Sequence, residues 1–66
     1  MNFLSVYRKN RKLTQFEVAK ILGVTDTLIS KWETEKIIPT NEQIVKLAEI
    51  YKIEVKKLFP NLFGGN

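Results

Sequence analysis

The sequence predicts an all-α domain of five short helices, and three observations carry that reading. Thr14-Gln15-Phe16-Glu17 and Thr40-Asn41-Glu42-Gln43 both have the form of a capping box, in which a threonine hydroxyl and a side chain three residues later satisfy each other's backbone amides. Apolar residues recur at intervals of three and four, most cleanly at Ile44, Leu47, Ala48 and Tyr51. The period-two alternation of a half-buried strand is found nowhere in the chain.

Residues 3–11 carry Phe3, Leu4, Tyr7 and Arg11 at helical spacing, with Asn2 available to cap the first free amides. The second helix starts at the Thr14 capping box, turns Val18, Ala19 and Leu22 inward, and stops at Gly23, which takes positive φ without steric cost. A third helix begins three residues later, with Thr25 as N-cap and the Asp26 carboxylate in its first turn. Leu28, Ile29 and Trp32 continue its apolar spacing to about Glu35. Pro39 interrupts before the fourth helix, and Val55, Leu58 and Phe59 suit a last turn closed by Pro60. Residues 64–66 are expected to fray. One domain over residues 1–60 and a short tail over 61–66 follow.

Sixty-six residues without cysteine or histidine leave no disulfide, thiolate metal site or imidazole chemistry, so stability must come from apolar packing. No cofactor is expected, and the scattered acids and missing phosphate loop argue against an enzyme or a small-molecule substrate. No apolar run is long enough for a membrane span, and no basic segment leads into an apolar signal core, so a cytoplasmic protein is expected. Eleven Lys and Arg against seven Asp and Glu give a charge of +4, which favours a polyanionic partner without proving one. Arg8, Lys9, Arg11 and Lys12 concentrate that charge, and Lys56 with Lys57 reads as a solvated pair.

Residues 15–34 form the unit with the most specific pattern. A steep crossing of two helices needs a small residue on the first, a residue tolerant of left-handed geometry in the turn, and inward anchors on both sides. Ala19, Gly23, and Val18, Leu22, Val24, Ile29 and Trp32 fill those positions in order. An αα-hairpin inside an ordinary bundle could use the same core residues. With Leu13-Thr14-Gln15, Leu22-Gly23-Val24-Thr25, Ile29-Ser30-Lys31-Trp32-Glu33 and Pro39 added, residues 4–59 resemble the Cro and repressor helix-turn-helix family, that is, lambda-repressor-like regulators.

The resemblance implies a compact five-helix bundle whose third helix enters the major groove of double-stranded DNA as a transcriptional regulator, a phage or bacterial repressor. Gln15 matches a phosphate contact, and Asp26, Thr27 and Lys31 match positions facing base edges, with Leu28 near a thymine methyl. Thr25, Ser30 and Lys36 complete the set of DNA-facing candidates, and Thr40 and Asn41 match a second phosphate site at a helix N-terminus. Asp26 reads equally as a first-turn acid, and Trp32 as core. Arg8 and Glu33 match a pair bridging the first and third helices.

Lys12, Glu35 and Lys52 stand where relatives commonly have glycine, so those helix ends either change shape or give up stability. Ile37 and Ile38 pack under the loop at 34–38 or form a partner surface. A single recognition helix reads few base pairs, so a homodimer is expected, joined through Val55, Leu58, Phe59, Leu62 and Phe63 unless the last two fold back. An antitoxin that also binds a toxin, and a protein-only interaction module, remain as alternatives.

Overall fold

Every helix start foreseen from a capping threonine is closed by that threonine. In the computed structural model, which describes residues 2–63 and the side chains of residues 2–61, α1 spans Leu4–Asn10, α2 Gln15–Leu22 and α3 Asp26–Glu33. They are followed by α4 over Asn41–Tyr51, α5 over Val55–Leu58 and α6 over Pro60–Phe63. Thr14 Oγ1 accepts from the Glu17 amide at 3.0 Å while Glu17 Oε1 accepts from the Thr14 amide at 2.8 Å. Thr40 and Gln43 repeat the exchange at 3.2 and 2.8 Å, and Thr25 Oγ1 accepts from the Leu28 amide at 3.1 Å. Before α1, Asn2 Oδ1 accepts from the Leu4 amide, so the foreseen cap acts from one residue outside Phe3, the N-cap itself.

The ends of α1 to α4 share one geometry. After α2, Gly23 sits at φ 75° and the Val24 amide donates to the Ala19 carbonyl at 3.0 Å. After α1, α3 and α4 the same turn is made by Lys12 at φ 58°, Glu35 at 66° and Lys52 at 56°. There Leu13, Lys36 and Ile53 donate five residues back to Arg8, Lys31 and Ala48. These are Schellman closures, and they end α3 at Glu33 rather than at Glu35. The shape is therefore kept and stability given up, by about 1 to 2 kcal/mol for each left-handed non-glycine residue.

Pro60 opens a helical turn instead of closing one. Its missing amide is unneeded at the first helical position and its ring holds the required φ, so α6 starts there. The core lies between the helices: Leu4 of α1, Val18 and Ala19 of α2, Ile29 and Trp32 of α3, and the foreseen stripe Ile44, Leu47, Ala48 and Tyr51 of α4 are all buried. Leu58 and Phe59 are buried with them, and Leu58 O accepts from the Phe3 amide at 2.9 Å, tying the two ends of the domain together. Their burial corrects the expected dimer contact, because side chains that fill their own core cannot cover a second copy. The Leu62 and Phe63 side chains and residues 64–66 lie outside the described part.

Candidate nucleic-acid interface

The helix pair at 15–34 is organised by which side of α3 the core takes. Ile29 and Trp32 are each 1% exposed and Glu33 turns inward beside them, which commits one side of α3 to packing. Asp26, Thr27, Ser30 and Lys31 fall at i, i+1, i+4 and i+5 on the other side, where Asp26, Thr27 and Lys31 are exposed and Ser30 is half-buried. Leu28 is half-buried and packs on the core edge. The Thr25 hydroxyl is engaged by the Leu28 amide at the start of this surface. Helix α2 crosses close behind it through buried Ala19, and Gly23 makes the turn between them.

The inward end of α3 is held by ionic and amide bonds. Arg8 Nε donates to Glu33 Oε2 at 2.6 Å and Arg8 Nη2 to Glu33 Oε1 at 3.2 Å, a bidentate pair with both side chains nearly enclosed. Arg8 Nη1 also donates to the Leu13 carbonyl at 2.9 Å, so one guanidinium joins α1, the α1–α2 turn and α3. Donating hydrogen bonds to the Glu33 carboxylate raises the Arg8 pKa above its ordinary value, outweighing the opposing effect of burial. Gln15 Nε2 donates to Glu33 Oε1 at 3.0 Å, which orients the amide that the family likeness assigns to a phosphate. Burial pushes the Tyr51 phenol well above its usual range, with the Glu33 charge adding and Arg8 opposing. Among the described residues nothing pairs with the Tyr51 hydroxyl.

Helices α2 and α4 each begin with first amides that are unbonded by backbone or cap among the described residues. The capping box of α2 engages Glu17 and leaves Gln15 and Phe16, and that of α4 engages Gln43 and leaves Asn41 and Glu42. Such amides with the helix dipole behind them favour an anion. Lys36 is exposed just past the Glu35 turn, its amide bonded to the Lys31 carbonyl at 2.9 Å. Thr40 and Asn41 are exposed at the start of α4, joined to the α3 surface by the chain and by no hydrogen bond among the described residues. Of the basic cluster, Arg8 is committed to the interior and Arg11 Nε donates to the Tyr51 carbonyl at 3.1 Å, leaving Lys9 and Lys12 as its solvent-exposed lysines.

Several partners had no signal in the sequence. Asn2 Nδ2 donates to the Trp32 carbonyl at 3.0 Å and the Asn2 amide to Glu35 Oε2 at 3.0 Å, stitching the chain start to the end of α3. The Gln15–Glu33 bond spans eighteen residues with no periodicity to announce it. Phe16 and Ile21 are largely exposed on α2, and Lys20 Nζ lies 5.8 Å from the Phe16 ring, a spacing of i, i+4 that could have been read.

A protein-family model described as helix-turn-helix matches residues 4–58. With that match over most of the chain, and with the helix pair and capping pattern above, the chain belongs to the Cro/C1-type helix-turn-helix family of DNA-binding regulators. The comparisons with curated proteins and with solved structures gave no match. Among the described residues no helix is long and apolar enough to cross a membrane.

Proposed function

We propose that the chain is a sequence-specific transcriptional repressor of bacterial or phage type, acting in the cytoplasm as a homodimer that lays α3 of each copy in the major groove. The observation that carries this reading is the division of α3: Ile29, Trp32 and Glu33 are locked inward while Asp26, Thr27 and Lys31 are left exposed together. Exposed polar side chains on a rigid helix are what base-edge reading needs. Gln15 and the Asn41 and Glu42 amides hold phosphates on either side, and Thr25, Ser30, Lys36 and Thr40 line the approach. Leu28 meets a thymine methyl at the edge of the contact.

One copy reads too few base pairs to choose a site in a genome, and two copies about a two-fold axis read half-sites roughly 34 Å apart. Selection of bound duplexes from a random DNA pool tests the reading. A palindromic consensus with half-sites about one helical turn apart is the expected result, and recovery of no preferred sequence would overturn it.

A further inference from the structure

Lys20 is the one basic side chain on α2, and it stands over an aromatic ring instead of an acid. Its Nζ lies 5.8 Å from the centroid of the Phe16 ring, within reach of a cation–π contact. Glu17, three residues earlier, would be the ordinary helical partner. The capping box turns that carboxylate to the Thr14 amide at 2.8 Å, and among the described residues Lys20 has no ion pair. Phe16 itself is 60% exposed, so its ring adds little to the core.

The direction of this contact matters for DNA. Side chains on a helix lean towards its start, and Phe16 is the second residue of α2. The ring therefore draws the ammonium back over the first turn, which Gln15 opens. A long side chain that is ordered before binding spares the cost of ordering it in the complex. Held on the ring, Lys20 brings a full positive charge to the turn whose glutamine is proposed above to hold a phosphate. Lys9 and Lys12 are exposed as well, but among the described residues neither stands over a ring.

We infer that Lys20 contacts the DNA backbone beside Gln15, and that the Phe16 ring is the positioning residue that holds its ammonium there. The inference rests on the DNA-binding reading above and adds two residues to it. Titration of the full chain against the selected duplex and a random-sequence duplex, each over a series of salt concentrations, tests it. Both side chains are exposed, so their substitution spares the core, and circular dichroism checks that the helices persist.

Lys20→Ala should flatten the slope of log affinity against log salt by about 0.9 on both duplexes, and Lys20→Arg should keep the wild-type slope. Phe16→Leu keeps an apolar side chain without a π face and should weaken binding by about two- to tenfold, while Phe16→Tyr should bind as the wild type does. Adding Phe16→Leu to Lys20→Ala should weaken binding no further, because the ring acts through the ammonium. An unchanged slope for Lys20→Ala would overturn the backbone contact and leave the DNA reading in place. A further loss in the double variant would overturn the positioning role of Phe16. A wild type that binds neither duplex would remove the DNA reading itself, and this contact with it.

Discussion

The two ends of α3 solve opposite problems. Its C-terminal end is anchored: Trp32 is enclosed, Glu33 is gripped by Arg8 and Gln15, and the Asn2 side chain bonds the Trp32 carbonyl. Its N-terminal end has one side-chain cap, the Thr25 hydroxyl accepting from the Leu28 amide, and presents Asp26 and Thr27 to solvent. Stability is thus concentrated at the C-terminal end, and Asp26 and Thr27 at the N-terminal end can vary in chemistry without disturbing the core. That separation gives each end a distinct response to substitution.

The largest expected effect is at the anchored end. Glu33→Ala leaves the Arg8 guanidinium enclosed without its carboxylate and should cost about 3 to 5 kcal/mol in denaturant unfolding. Replacing both partners, Arg8→Met with Glu33→Leu, should cost less than Glu33→Ala alone, since no unpaired charge is left behind. A double variant worse than the single would mean that the pair contributes more than the avoidance of a lone charge.

Next in size are the left-handed turns that lead into and out of the helices. A Cβ at Gly23 would meet no atom within 4 Å, so Gly23→Ala isolates the backbone cost of φ 75° and should destabilise by about 1 to 2 kcal/mol. Lys12→Gly and Lys52→Gly should go the other way, by roughly 0.5 to 1 kcal/mol once the extra freedom of glycine in the unfolded chain is counted. Glu35→Gly should gain less than either, because it also loses the bond from the Asn2 amide. Equal gains at all three positions in thermal unfolding would mean that this bond contributes nothing. Tyr51→Phe removes a buried hydroxyl that has no partner and should leave stability unchanged or raise it by up to about 1 kcal/mol. A loss on that substitution would show that the hydroxyl has a partner in solution.

The same division explains what the sequence could reveal. Capping boxes at Thr14 and Thr40, the Gly23 turn and the stripe from Ile44 to Tyr51 are local, so each is readable from residues within one or two turns. Whether Lys12, Glu35 and Lys52 would bend left-handed was open, because the steric penalty argues against it and only the packing of the following helices can impose it. The grip of Asn2 on the end of α3 and of Glu33 on Gln15 joins residues far apart in the chain, and no spacing rule reaches that distance. Burial of Leu58 and Phe59 depended on how much core the other helices left exposed, which apolar content alone cannot tell. The exposed side of α3 was legible because the inward phase of Ile29 and Trp32 fixes what remains outside.

A smaller effect is expected outside both ends of α3. Lys36→Ala should flatten the slope of log affinity against log salt by about 0.9, the contribution of one neutralised phosphate, while the preferred sequence stays the same. An unchanged slope would take Lys36 out of the contact.

That the exposed side of α3 reads bases while its inward side carries stability is tested most directly with Thr27→Ala and Lys31→Ala. Each would be titrated against the selected duplex and its single base-pair variants, with unfolding measured alongside. Stability should stay within about 0.5 kcal/mol of wild type, as for other exposed positions. Discrimination should fall by about 1 to 3 kcal/mol at particular base pairs and persist at the rest. An equal loss of affinity for every duplex, with discrimination intact, would contradict the account and make these side chains phosphate contacts.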